Sequence, residues 1–290
     1  MPASQRVAIV GVGLIGGSIG LALRERGLAA EVVGVGRRNA SLEKAIAHGT
    51  VDRATTNLVE GVAEADWVVV ATPVADIADH ILSVAHASPR AVITDAGSTK
   101  ASICRALRAH SAASNGSEGT TGLGSRFIGS HPIAGDHRTG PEHARADLFE
   151  GRTVVVTPED DTPAGLVERA KAFWESLGAT VELLSPEEHD RALAATSHLP
   201  HLVAAALAAA TPEEWLRLAG AGWGDTTRIA AGDVRLWTQI FQQNRAGVVD
   251  ALRRFEYQLA ELAGALAEDD AVTLAAQLQE AKRIRDALGD

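Results

Sequence analysis

A short strand candidate, Arg6 to Val10, runs directly into Gly11-Val12-Gly13-Leu14-Ile15-Gly16 and then into an apolar helical stretch, Ser18 to Arg26. Three glycines at these spacings, with a strand before and a helix after, specify the first turn of a parallel α/β sheet that holds a dinucleotide. Gly11 permits the tight turn, Gly13 lets a pyrophosphate approach the backbone, and Gly16 lets helix and strand pack closely. The phosphates then lie at the helix N-terminus, where free amides and the helix dipole favour anions, so Leu14 and Ile15 join the glycines as cofactor-binding positions.

The rest of the first two-thirds of the chain repeats the alternation. Strand candidates are Arg6 to Val10, Glu31 to Val35, Trp67 to Ala71, Ala91 to Asp95, Phe127 to Ser130, Thr153 to Thr157 and Thr180 to Leu184, with helices between most of them. These seven strands predict a doubly wound, Rossmann-type sheet. Ser111 to Ser125 is rich in Ser, Gly and Thr and reads as a surface loop within that domain. Strand signals stop at Ser185, where a Ser cap, Pro186 and Glu188 spell a helix start. The chain therefore divides into a dinucleotide-binding domain, residues 1–184, and an all-helical domain, residues 185–290. Helices are expected over His189 to Ala210, with a kink at Pro200, then Pro212 to Ala219, Val234 to Ala267 and Ala271 to Leu288.

Composition narrows the partners. The net charge is -10, with no dense run of Lys or Arg, which argues against nucleic acid. Cys104 is the single cysteine, which excludes an intrachain disulfide and any Cys-based zinc cluster and fits a reducing, cytoplasmic setting. No apolar run is read as approaching bilayer length and no signal peptide is seen, so no membrane partner is expected.

The cofactor can be specified further. An NAD site places an acid at the end of the second strand, about twenty residues past the last glycine. Gly36 stands there, followed by Arg37, Arg38 and Ser41. A 2′-phosphate would meet guanidinium groups and no repelling carboxylate, so NADP is expected in preference to NAD. The two arginines could also be solvated loop charges. Thr72 and Pro73, just past the third strand, complete the set of cofactor-binding positions.

Two later strand ends carry chemistry. Asp95-Ala96-Gly97-Ser98-Thr99-Lys100 places Ser98 at the carboxyl edge of the sheet, where it is either a ligand-facing hydroxyl or an ordinary helix cap. Gly129-Ser130-His131-Pro132-Ile133-Ala134-Gly135 places His131 where an imidazole can accept a proton at neutral pH. Together with Thr196-Ser197-His198-Leu199-Pro200-His201 and Asp225-Thr226-Thr227-Arg228-Ile229-Ala230 downstream, these runs resemble the prephenate and arogenate dehydrogenases of tyrosine biosynthesis, in order and at similar separations from Val7 to about Asn244.

The resemblance implies a Rossmann domain, a helical domain through which two subunits pair, and an active site between them. It implies oxidative decarboxylation of prephenate or arogenate to 4-hydroxyphenylpyruvate or L-tyrosine, with hydride passing to NADP or NAD. By the same resemblance His131 takes the ring hydroxyl proton, Ser98 orients that histidine, Arg228 grips a substrate carboxylate, His201 and His198 lie near the substrate side chain, and Trp237 forms an apolar wall. Arg228 could alternatively pair with Asp225, and His198 and His201 could simply satisfy polar needs beside Pro200. The chain departs from the family at Asp136-His137-Arg138, where Asp136 would favour the ammonium of arogenate. His198 and His201 lie three apart, but H-E-x-x-H and a carboxylate at helical spacing are missing, so no metal is expected. Two other functions remain open at this stage. A β-hydroxyacid dehydrogenase would use a lysine in its second domain, where only Lys282 is found, and a non-catalytic NADP sensor would not need Ser98, His131 and Arg228 together.

Overall fold

A computed structural model describes residues 4–113, 122–135 and 138–289. Strands β1 (Arg6–Val10), β2 (Glu31–Val35), β3 (Arg53–Thr55), β4 (Trp67–Val70), β5 (Val92–Asp95), β6 (Phe127–Pro132), β7 (Thr153–Thr157) and β8 (Thr180–Leu183) form one sheet. Their order is β3-β2-β1-β4-β5-β6-β7-β8. All neighbours are parallel except β6 and β7, where His131 lies opposite Val155 in an antiparallel pair. The order reverses between β1 and β4, and the crevice outside the strand ends at such a switch point is where open α/β sheets bind ligands.

Alternate residues of the strands feed two cores. Val7, Ile9, Trp67 and Val69 pack on one face with helices α1 (Leu14–Glu25) and α6 (Ala164–Ser176). Ala8, Val10, Val68 and Val70 pack on the other with α3 (Leu58–Val62), α4 (Ile77–Ala87) and α5 (Ala101–Ala113). Strands buried on both faces read as continuous Val and Ile runs, and these do. Helix α2 (Asn39–Ala47) follows β2.

The C-terminal part comprises α7 (Pro186–Leu193), α8 (Leu199–Ala210), α9 (Ala221–Thr227), α10 (Val234–Gln243), α11 (Arg245–Ala267) and α12 (Ala271–Asp286). The capping box at Ser185 forms as expected, with Ser185 and Glu188 each bonded to the other's backbone amide.

Several expectations need correction. The sheet has eight strands, because β3 is three residues of Arg-Ala-Thr with no apolar alternation to announce it. Pro200 lies inside its helix, as expected, but the local geometry around it was not foreseen. A π-turn over Ala194–His198 precedes it, and the wider turn accommodates the missing amide so that residues 186–210 continue as one helix. Residues Glu213–Leu218 form a 3₁₀ segment, α9 was not anticipated in its Gly-rich sequence, and the expected helix from Val234 to Ala267 divides at Asn244. The Ser111 to Ser125 loop falls largely outside the described residues, and its first three residues complete α5.

One helix, Pro186–Ala210, is long and apolar enough by length and composition to cross a membrane, with mean hydropathy 1.4. This overturns the reading that no apolar run approaches that length. Alanine and leucine carry the hydropathy past the interrupting Thr196, Ser197, His198, Pro200 and His201, several of which belong to the site.

Candidate active site

The glycine turn has the geometry its sequence requires. Gly11 adopts φ +101°, and a Cβ there would stand 2.5 Å from the Ala71 carbonyl oxygen. A Cβ on Gly16 would stand 2.0 Å from the Gly11 carbonyl oxygen, so β1, β4 and α1 converge too closely for any other residue. A Cβ on Gly13 would meet nothing within 4 Å, which leaves open space at the α1 N-terminus. No side chain caps that helix. A bare helix N-terminus beside an open cradle fits a pyrophosphate.

Around it the structure gathers the other cofactor candidates at carboxyl ends of strands. Arg37 and Arg38 follow β2 and are exposed, Arg37 by 79%, and the Arg37 guanidinium lies 4.0 Å from the Asp76 carboxylate. Arg38 caps α2 through its backbone, and the Ser41 amide bonds the Arg38 carbonyl oxygen at 3.1 Å. Thr72 Oγ1 lies 3.1 Å from His80 Nδ1, and Pro73 is exposed beside it.

The second constellation is built on a buried ion pair. Lys100 is paired with Asp95 and donates to the Ser130 carbonyl at 2.8 Å, and Asp95 accepts from the amides of Gly97 at 2.9 Å and Ser130 at 3.1 Å. Ser130 Oγ donates to the Asp95 carbonyl at 2.6 Å and accepts from Trp174 Nε1 at 3.0 Å. This network fixes the backbone immediately before His131.

His131 itself is half-buried at the end of β6, and its Nδ1 lies 2.9 Å from His189 Nε2. His189 Nδ1 in turn lies 2.8 Å from Asp190 Oδ1. Burial holds the His131 imidazole well below its usual pKa, with His189, Lys100 and His198 adding in the same direction, so the ring is neutral at pH 7. His189 is also lowered by burial, opposed by its bond to Asp190. Asp190 ties the helical domain to this point by accepting from the Lys100 amide at 2.8 Å and the Ala101 amide at 3.0 Å, and within that domain the Asn244 amide donates to the Asp190 carbonyl at 2.6 Å. Gln243 adds a second tie: its oxygen accepts from Thr99 Oγ1 at 2.7 Å and Ser102 Oγ at 2.9 Å while its amide donates to the Val74 carbonyl at 3.0 Å.

The remaining expected residues separate into two groups. His201 stacks on Trp237 with ring centroids 3.4 Å apart, and its Nδ1 donates to the Ser197 carbonyl at 3.0 Å. Burial lowers the His201 pKa, and Arg228 is close enough to lower it further. Arg228 is exposed and, among the described residues, has no ion pair, so the alternative pairing with Asp225 does not form. His201, Trp237 and Arg228 thus form one wall. His198 is buried, with Nδ1 3.1 Å from the Asn244 amide, and burial brings its pKa to about 4. Its polar atom is satisfied from within the helical domain.

Ser98 is half-buried on the loop between β5 and α5. The group on His131 Nδ1 is His189 rather than Ser98. Asp136 lies outside the described residues.

His189, Asp190, Gln243 and Asn244 were not singled out from the sequence. A signal existed for the first two. The buried stripe of α7 is Pro186, His189, Asp190 and Leu193, and polar residues on the inward stripe of a short helix must have partners inside.

Both halves of the chain are similar to known proteins of one family. Residues 19–183 match the family described as prephenate dehydrogenase, nucleotide-binding domain, and residues 185–280 match prephenate dehydrogenase, dimerization domain. The chain is 31% identical to cyclohexadienyl dehydrogenase of Zymomonas mobilis, across 99% of this chain and 97% of that protein. Prephenate dehydrogenase from A. aeolicus, solved in complex with hydroxyphenyl propionate and NAD+, superposes with a TM-score of 0.87 at 32% identity, covering 98% of both chains. Arogenate dehydrogenase from Synechocystis superposes with a TM-score of 0.80 at 30% identity, covering 98% of this chain and 99% of that one. Both halves of the fold therefore have one source: the chain belongs to the prephenate dehydrogenase family and is an oxidoreductase that uses a pyridine nucleotide.

Proposed function

We propose that this protein carries out the oxidative decarboxylation of prephenate or arogenate to 4-hydroxyphenylpyruvate or L-tyrosine, with His131 as the base and NADP preferred over NAD. The observation that carries this reading is the neutral His131 imidazole, bonded through Nδ1 to His189 at the sheet edge that also bears the glycine cradle. When bound, the nicotinamide supplies the hydride acceptor. His131 Nε2 accepts the ring hydroxyl proton as the carbonyl forms. Arg228 holds a substrate carboxylate through its planar fork, while the His201 and Trp237 stack lines the pocket. Loss of carbon dioxide then completes the aromatic ring, so the protein's task is positioning and removal of one proton. Ser98 lines the pocket from the β5 edge, and His198 supports the wall from behind.

The assay is appearance of reduced cofactor, read by near-ultraviolet absorbance, on mixing the protein with NADP and either substrate. Absence of reduction with both substrates would sink the reading.

The cofactor preference rests on Gly36, Arg37 and Arg38. Gly36 does not lie in the left-handed region, and a Cβ there would stand 3.0 Å from Leu42 Cδ2, a movable side-chain end. Gly36→Asp should therefore fold and place a carboxylate against the 2′-phosphate. A charge-assisted contact is worth roughly 1.5 to 3 kcal/mol, so kcat/KM should favour NADP about ten- to hundredfold in the unmodified protein and lose that preference in the variant. Equal or better efficiency with NAD in the unmodified protein refutes it.

The protein acts as a homodimer, supported by the family's dimerization domain over residues 185–280. Leu218, Val234, Leu266 and Val272 are 66% to 83% exposed, an apolar excess that pairing of the helical domains would cover. We put the functional division between residues 1–184 and 185–290, a reading supported by the capping box at Ser185 that opens α7.

A further inference from the structure

We infer that His189 and Asp190 set the tautomer of His131, keeping its Nδ1 protonated so that Nε2 is left as the proton acceptor. The inference builds on the reading of His131 as the base. Asp190 Oδ1 accepts from the Lys100 amide at 2.8 Å, and Oδ2 accepts from the Ala101 amide at 3.0 Å. Backbone amides can only donate, so Asp190 is an acceptor at the start of α5, where the helix dipole favours a carboxylate.

His189 Nδ1 must then donate across its 2.8 Å contact with Oδ1. A neutral imidazole carries one ring proton, so His189 Nε2 presents a lone pair. That lone pair lies 2.9 Å from His131 Nδ1. His131 must donate there and keep its lone pair on Nε2. With the opposite tautomer, two lone pairs would face each other in a place where His189 is fully buried. The groups facing the two rings are Asp190 and His198 from the helical domain and Asp95 and Lys100 from β5 and the loop after it. When His131 accepts a proton at Nε2, its Nδ1 proton can pass to His189 Nε2. One proton has then entered, no electrons have moved, and the positive charge lies beside Asp190.

The test is long-range proton–nitrogen correlation of the full-length protein labelled with ¹⁵N-histidine, the His131 signals identified by their loss in His131→Asn. The expected spectrum shows His131 protonated at Nδ1. Asp190→Ala removes the acceptor of the His189 Nδ1 proton, so nothing holds either ring in one tautomer. The Nε2-protonated form of His131 should then be populated and kcat should fall roughly tenfold or more, with KM for substrate and cofactor within about threefold. His189→Gln can place its amide oxygen near the lost Nε2, so the His131 tautomer should persist while kcat falls less. An Nε2-protonated His131 in the unmodified protein overturns the inference, and this needs no variant of Asp190 to fold. An unchanged kcat in Asp190→Ala overturns it equally. If His131→Asn retains activity while the Nδ1 proton is seen, the base assignment fails and the tautomer assignment stands.

Discussion

Lys100→Met removes one charge from a fully buried pair while keeping most of the side-chain volume. Lys100 is 1% exposed and Asp95 is not exposed at all. After the change the Asp95 carboxylate keeps the Gly97 and Ser130 amides as donors but has no countercharge, and the Ser130 carbonyl loses the donor it had at 2.8 Å. Removing one partner of a buried pair costs roughly 3–5 kcal/mol. The two remaining donors place this case near the lower end, about 3 kcal/mol. For a chain of this size 1 kcal/mol corresponds to roughly 2–4 °C, so the melting temperature should fall by about 6–12 °C. Thermal unfolding by circular dichroism at one fixed protein concentration measures it, since dimerisation makes the midpoint concentration-dependent. Lys100→Met combined with Asp95→Asn neutralises both partners and should recover half or more of the loss. A fall under about 2 °C, or a double variant no more stable than the single one, would show that the pair is not isolated from water as its burial indicates.

His131→Asn should leave NADP affinity nearly intact and cut turnover by roughly a hundredfold or more; unchanged turnover would remove His131 from the mechanism. Arg228→Ala should raise the substrate KM with little effect on folding, since the side chain is exposed and has no ion pair among the described residues. A lost carboxylate contact of about 2–4 kcal/mol corresponds to roughly a thirtyfold rise or more, and an unaltered KM would place the carboxylate grip elsewhere. Acid should destabilise the fold. Burial lowers the His131, His189 and His198 pKa values, His198 to about 4, so between pH 6.5 and about 4 the unfolded chain binds more protons than the folded one. Stability from this source is complete above pH 6.5 and is lost as the pH falls, so a melting temperature equal at pH 7.5 and pH 5 would contradict it.

The parts of the fold that were legible in the sequence are those with a local steric or periodic cause. The glycine turn is legible because Gly11 and Gly16 have no room for a side chain, and the helix start at Ser185 because the capping box is a contact between residues three apart. Strands β1, β4 and β7 announce themselves by valine runs buried on both sides. Where the cause is not local, the reading failed. The division between α10 and α11 falls at Asn244, whose side chain turns inward to the Asp190 carbonyl and His198, partners 54 and 46 residues away. Nothing in the helical periodicity around Asn244 marks that demand. Pro200 was correctly seen as an obstacle, but the remedy, a π-turn beginning six residues earlier, depends on how the helix packs.

The site divides along the same line. His131 was legible because a histidine at a strand end, before a proline, has few structural reasons to be there. Its immediate partner was not, because the pairing with His189 spans 58 residues and two domains. Yet α7 did contain the clue in chemical form. An amphipathic helix whose inward stripe reads Pro, His, Asp, Leu buries two polar side chains, and each must find a partner or cost stability. In the structure those demands are met by the amides at the start of α5 and by the Nδ1 of His131. The helical domain carries a small core of its own, Ala194, Val248 and Ala251, beside several polar ties to the loop after β5 and the start of α5. Those ties hold Asp190, and with it His189, against the end of β6 that carries His131, a placement that an independent interior in the helical domain would not by itself supply.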